Sequence, residues 1–162
     1  MSSFFLGGGT MKITINLTRD SAAIDAIYAA LSAFNADKAG TVRRELPSKH
    51  HPEAFALIAA DEEGHTRGGL AAHWEDDPRH VFVDYFHLDE TLRGGGIGRR
   101  ILEELFELAA AGGAQEVRLT TNTFQAPGFY LKMGFEITEE NPAPLPLRPD
   151  NVHYGLRRTL KV

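Results

Sequence analysis

The chain has 162 residues, 43% of them hydrophobic and 24% charged, and no cysteine. That is the size and composition of one globular domain, and it excludes a disulfide scaffold, a thiolate metal site and a cysteine nucleophile. With 17 Lys and Arg against 22 Asp and Glu the net charge is −5, which counts against a nucleic-acid partner and favours neutral or cationic ligands. No apolar run approaches the roughly 20 residues of a membrane span, and the lack of cysteine fits a cytoplasmic protein.

Residues 1–10 (MSSFFLGGGT) contain no Lys or Arg and too short an apolar run for a secretory leader. With Gly7-Gly8-Gly9 they read as a flexible N-terminal tail ahead of a single domain over 11–162. Residues 11–17 alternate Met11, Ile13, Ile15 and Leu17 with polar neighbours, the period of a strand. Residues 18–21 offer helix N-cap types. Ile24, Ile27, Tyr28, Leu31 and Phe34 then recur at spacings of three and four, an amphipathic helix ending near Asp37. Residues 38–52, with Gly40, Pro47 and Pro52, read as a surface loop.

Residues 53–60 and 66–74 flank the turn Asp61-Glu62-Glu63-Gly64 as a hairpin. Gly68-Gly69 inside its second arm points to a bulge or a close backbone approach. Residues 81–88 (VFVDYFHL) are β-branched and aromatic, a buried strand. Ile97, Ile101, Leu102, Leu105, Leu108 and Ala109 form one stripe, with Arg99, Arg100, Glu103, Glu104 and Glu107 opposite, which predicts a helix stopped by Gly112-Gly113. Residues 116–121 alternate as a strand, Pro127 opens a short helix and Gly134 closes it. Residues 135–138 and 152–160 complete the sheet on either side of a loop rich in proline. The sum is an α/β domain whose strands come mostly as hairpins.

Residues 88–100 (LDETLRGGGIGRR) run from the buried strand through a polar turn and glycines into a helix. The first amides of a helix have no internal partner, and the helix dipole places about half a positive charge there. Glycines at 94, 95, 96 and 98 let an anion approach those amides, and Arg93 and Arg99 bracket them with donors suited to phosphate oxygens. The segment reads as a phosphate or pyrophosphate site, with a plain tight turn as the other reading. A nucleoside-triphosphate loop would need Gly-Lys-Ser/Thr after four spacers, and a dinucleotide loop a glycine where Arg99 stands; neither pattern is met.

Arg93-Gly94-Gly95-Gly96-Ile97-Gly98 resembles the Q/R-x-x-G-x-G/A signature of the GNAT family of N-acetyltransferases, which bind acetyl-CoA. Downstream, residues 122–135 (NTFQAPGFYLKMGF) end in the family's F-Y-x-K-x-G-F pattern, and their first half is similar to the T-F-x-F-Q-A-P-x-F-Y block of one bacterial branch. The order of elements agrees with the family from about residue 11 to 160. The resemblance implies a mixed, mostly antiparallel central sheet of six to seven strands flanked by helices. It implies acetyl transfer from acetyl-CoA to a primary amine by direct attack in a ternary complex, without a metal. The alternative is a non-catalytic acyl-CoA-binding or sensing module on the same fold.

Carried over residue by residue, the resemblance implies that the backbone at Phe86 and Leu88 pairs with the pantetheine arm. The amides from Arg93 through Gly94, Gly95, Gly96, Ile97 and Gly98 to Arg99 would hold the pyrophosphate, and the Asn122 amide would also hold the cofactor. Tyr130 stands where the family has its general acid, in a helical first turn whose dipole favours negative charge. An attacking amine must first lose a proton. Asp84 is the leading candidate to take it, with a carboxylate paired with Lys or Arg, or at a strand bulge facing water, as the other reading; His87 and His73 rank behind it. Asn35 and Glu75 are candidates for the acceptor side. No acyl-enzyme is expected, since no serine sits in a nucleophile-elbow sequence. The acceptor is a small-molecule or peptide amine, with no nucleic acid or membrane partner, and exposed apolar residues near the last strand would permit a homodimer. The seven histidines show no metal-binding spacing.

Overall fold

The computed structural model describes residues 2–6, 11–42, 50–125 and 127–161. Strands β1 (Ser2–Leu6) and β2 (Met11–Thr18) precede helix α1 (Ser21–Ala39), followed by β3 (Ala54–Ala60), β4 (Thr66–Trp74) and β5 (His80–Leu88). Helix α2 (Ile97–Ala111), β6 (Glu116–Asn122), α3 (Pro127–Lys132), β7 (Glu136–Pro142) and β8 (Val152–Thr159) complete the chain. The strands form one sheet in the order β1-β2-β3-β4-β5-β6-β8-β7. Only β5 and β6 are parallel; every other neighbouring pair is antiparallel.

Seven of these strands, β2 to β8, are those anticipated from hydrophobic period. The eighth is not: Ser2–Leu6, read as part of a tail, pairs antiparallel with β2, Ser2 opposite Ile15 and Leu6 opposite Met11. Gly7-Gly8-Gly9, and residues 43–49 of the anticipated loop, lie outside the described residues.

Helix α1 begins where the Asp20 side chain accepts the Ala22 amide at 3.2 Å, and ends at Gly40, whose left-handed backbone (φ 75°) returns its amide to Ala36. It runs two residues past the expected end because distant groups satisfy its last carbonyls. The Leu147 amide donates to Ala39 and the Arg148 guanidinium to Lys38. Only half of its apolar stripe is core. Ile24 and Ile27 are buried, whereas Tyr28, Leu31 and Phe34 are half-exposed.

The centre of the sheet is covered on both faces, and β3 is buried on both, whereas β7 is exposed throughout. Ala54, Ala56 and Ile58 meet Ile24 and Ile27 of α1. Phe55 and Leu57 turn the other way, into a larger core with Ile97, Ile101, Leu102 and Leu105 of α2. That stripe at three- and four-residue spacing is the one the sequence displays.

Gly68-Gly69 turns out to serve both roles foreseen for it. Ala59 faces Gly68 while Ala60 faces Thr66, so Arg67 is an extra residue in β4. A Cβ on Gly68 would lie 2.4 Å from the His87 carbonyl oxygen and 2.7 Å from the Leu88 Cα. Gly68 thereby brings β4 against the end of β5, while a Cβ on Gly69 would lie 2.6 Å from the Leu57 carbonyl oxygen of β3. Gly68→Ala is expected to destabilise the fold by at least about 2 kcal/mol, because its φ of 136° is closed to L residues and the methyl meets fixed backbone. Gly64→Ala, with φ 83° and nothing within 4 Å, should cost only about 1 kcal/mol. Urea unfolding of both variants reads the difference, and equal midpoints would remove the close-approach argument.

Candidate active site

Strands β5 and β6 pair for only three residues, His80 to Phe82 against Glu116 to Arg118. Beyond that point they separate, and a cavity of about 630 Å³ opens between residues 83–88 and residues 119–121. Leu31 and Phe34 of α1 and Phe129 and Tyr130 of α3 line it, together with the N-terminal end of α2. Where two strands part, backbone N–H and C=O groups lose their ladder partners and can pair with an extended ligand instead.

A β-bulge shapes the first wall. Ala71 faces Tyr85 and Ala72 faces Val83, leaving Asp84 unopposed. The extra residue reverses which side chains face which layer. Val81 and Val83 before it, and Phe86 and Leu88 after it, all pack toward the α2 core. Tyr85 and His87 turn toward α1, with rings 5.0 Å from Tyr28 and 5.6 Å from Phe34. Asp84 itself lines the cavity and accepts a hydrogen bond from Nδ1 of His73 at 2.7 Å. Burial pushes its carboxyl above the ordinary range, and the bond from His73 opposes that shift. Asp84 thus sits at a bulge, as one reading of the sequence had it, and lines the cleft, but its partner is an imidazole and not the Lys or Arg anticipated. Burial, reinforced by Arg93, lowers the His87 imidazole below its usual value.

The glycine loop closes one end. Gly94 and Gly96 have φ of 79° and 83°, and nothing lies within 4 Å of where their Cβ atoms would be. Both conformations favour glycine, and the space over them is open. Ile97, Gly98 and Arg99 open the helix, so their amides have no intrahelical acceptor. A Cβ on Gly98 would sit 3.2 Å from the Phe129 ring, which sets how closely α2 approaches α3. Arg99 is exposed and paired with Glu103 at 2.8 Å. Arg93 points back into the site: Nε and Nη2 both donate to the Leu88 carbonyl at 3.2 Å, and its guanidinium lies 4.9 Å from the Phe34 ring centre. The Leu88 carbonyl is thus already engaged by protein.

Tyr130 stands across the cleft. Its ring packs against Phe86, Phe129 and Phe135 with centroids 6.4, 5.3 and 5.7 Å away. Burial pushes its phenol upward, so the group is a neutral donor. The expectation that a helix dipole would favour negative charge here is outweighed by desolvation in this aromatic pocket.

Five anticipated residues stand apart from the cavity, His73 among them, which reaches it only through Asp84. Gly95 does not line it. Asn122 does not either, and both ends of its amide are committed elsewhere: Nδ2 donates to Gln125 at 3.0 Å, and Oδ1 accepts from Asn151 at 2.9 Å. Asn35 is tied up as well, accepting from Gln125 Nε2 at 2.9 Å. Glu75 lies beyond the far end of β4, 3.8 Å from Arg118 and 3.9 Å from His80, among charges at the closed end of the β5–β6 pair. Gln125, to which sequence reasoning gave no role, is the hub of this arrangement. It lines the cavity and links Asn35 on α1 to Asn122 at the end of β6, whose backbone amide it also accepts at 3.0 Å. A glutamine three residues past a strand-terminal asparagine was the available signal. Among the described residues no group of three His, Asp or Glu side chains is placed to hold a metal ion.

The sequence profile of the Acetyltransferase (GNAT) family matches residues 23–135. The chain is 33% identical over 91 residues to a blasticidin-S acetyltransferase of Streptomyces morookaense, covering 56% of this chain and 65% of that protein. It is 34% identical over 98 residues to the peptidyl-lysine N-acetyltransferase YjaB of Salmonella typhimurium, covering 58% and 59%. Each match spans less than two-thirds of the curated relative's length. The structure of a GCN5-related N-acetyltransferase from Kribbella flavida shares the fold, with a TM-score of 0.71 at 13% identity over 91% of this chain and 98% of that one. The profile takes in the bulged strand, the glycine loop and the Tyr130 block together, and the chain belongs to the GNAT acetyltransferase family.

Proposed function

We propose that this protein transfers an acetyl group from acetyl-CoA to a primary amine, by direct attack within a ternary complex. The observation that carries this reading is the meeting, around one cavity, of free helix amides, an unladdered strand edge, Asp84 and Tyr130. The residues suit the cosubstrate: the open backbone at Gly94 and Gly96 leaves room for an anion, and the parted strands leave room for an extended, amide-bearing arm. Acetyl-CoA supplies a thioester that an amine can attack.

Each residue then has a physical task. The amides of Ile97, Gly98 and Arg99 hold the pyrophosphate at the end of α2. The β5 edge from Phe86 to Leu88 aligns the pantetheine arm, and Arg93 braces that edge against Phe34. Asp84 takes the proton that a primary ammonium must lose before its nitrogen can attack. Tyr130 donates its hydroxyl hydrogen toward the departing sulfur. A phenol is intrinsically a weaker acid than a thiol, so this bond stabilises developing charge rather than completing a transfer.

The acceptor is a small-molecule or peptide amine, received by the half-exposed side of α1 and by His87, Phe124 and Gln125. The carboxylate of Asp84 and the net charge of −5 favour a cationic amine. We assign the reaction to the cytoplasm, in keeping with a sequence that has no cysteine, and to one domain whose sheet includes Ser2–Leu6.

Tyr130→Phe should lower kcat by roughly 10- to 1,000-fold with acetyl-CoA affinity retained, read by thiol release and by calorimetry. Unaltered turnover would remove Tyr130 from the mechanism. Gly96→Glu should abolish acetyl-CoA binding, whereas Gly96→Ala, which carries the same backbone strain without the charge, should keep it. Equal affinities in the two variants would separate the loop from the anion. Binding by the unmodified protein with no thiol release across a panel of amines would make it an acyl-CoA sensor instead.

A further inference from the structure

Asp84 is a carboxylate at a break in the sheet, and its surroundings are unusual in one respect. Its side chain has a single hydrogen-bond partner among the described residues, the imidazole of His73 on β4 at 2.7 Å. The ionisable groups facing it are imidazoles: His73 on β4, and His50 and His51 just before β3. Tyr85 lies beside it on β5, with Tyr28 and Asp25 of α1 beyond. His50 is itself engaged, with Nε2 2.6 Å from Asp25 Oδ1.

The His73 ring is clamped. It stacks on His51 with centroids 4.3 Å apart and planes at 17°, and its other neighbour is Phe82 at 5.9 Å. Such a clamp holds Nδ1 toward the Asp84 carboxylate without relying on the bulged backbone, which has no ladder partner at that residue. The kind of partner matters as much as its placement. A guanidinium here would make a permanent ion pair and hold the carboxyl too low to accept a proton. An imidazole N–H donates a directed hydrogen bond that favours the ionised carboxylate.

We propose that His73 is the positioning residue for Asp84, orienting its carboxylate at the bulge of β5 and keeping it in the proton-accepting form. The inference rests on the reading of Asp84 as the base. The first proton leaves the substrate ammonium, ends on an Asp84 oxygen and returns to solvent before the next turnover; the second, lost from nitrogen as the tetrahedral adduct expels the thiolate, ends on the departing sulfur, and the His73 N–H is not transferred.

Two variants separate the donor from the ring. His73→Phe keeps a ring against His51 and Phe82 but removes the N–H. His73→Asn keeps an N–H near the position of Nδ1 but removes the ring. The protein labelled with ¹³C at aspartate carboxyls, with Asp84 assigned from its loss in Asp84→Asn, reports the Asp84 titration directly. His73→Phe should move that midpoint upward by about one pH unit, and His73→Asn should return it toward the original value. An unmoved midpoint in His73→Phe, or equal shifts in both variants, would overturn the role of His73. The acid limb of the kcat profile, measured with spermidine or whichever amine of the panel turns over fastest, should move by the same amount in His73→Phe. A carboxyl midpoint that shifts while the acid limb stays still would overturn Asp84 as the base, and His73 as its positioning residue, while leaving acetyl transfer standing.

Discussion

The site depends on one constraint, that β5 keeps only three residues of parallel pairing with β6. A sheet that continued its ladder to Leu88 would have no cleft, and its backbone groups would be satisfied internally. An aromatic wedge stands beside the parting: Phe86 from β5 packs with Phe129 and Tyr130 from α3, and Tyr130 packs in turn on Phe135. Gly98 belongs to the same arrangement, since a side chain there would press on Phe129 and lever α2 away from α3. The glycine loop, the strand edge and the phenol therefore converge because one wedge is placed where two parallel strands part.

Much of the fold was legible because it is written in hydrophobic period. The α2 stripe, the β3–β4 hairpin and the short helix between Pro127 and Gly134 all appear where spacing and turn residues put them. The glycine loop was legible for a different reason. An N-terminal helix turn made of glycines leaves amides uncovered whatever surrounds it, so its chemistry can be read locally. The α1 stripe was legible as a helix but not as a site. The spacing of Tyr28, Leu31 and Phe34 is the same whether an apolar residue packs into a core or lines a cavity.

What stayed hidden were features set by partners distant in the chain. A bulge at Asp84 was one reading of the sequence, but its register against Ala71 and Ala72, which decides that Tyr85 and His87 face α1 while Phe86 and Leu88 do not, was hidden. Nothing in the run VFVDYFHL marks that reversal. Asn122 reads locally as a polar residue at a strand end, free to hold a ligand. Only the fold brings Gln125, Asn151 and Asn35 into one chain of amide hydrogen bonds that engages it and ties α1 to β6. The first strand has a similar explanation, because Ser2–Leu6 is too short to show a clear period and gains its place from the open edge of β2.

Burial raises the proton affinity of both Tyr130 and Asp84, with opposite consequences for what each can do. For the phenol, a higher affinity keeps the group neutral, and a neutral phenol is the form that donates to a departing thiolate. For the carboxylate the same push is useful only within limits. Too little and Asp84 holds a proton too weakly to take one from an ammonium; too much and it is already protonated and can take none. Aromatic packing alone suffices to set the first group, because nothing needs to oppose it. The second needs a counterweight that is weaker than a fixed cation, and the clamped imidazole of His73 meets that requirement. The proposed acid and the proposed base thus differ in how they are supported: one by an apolar wall and the other by a single directed hydrogen bond.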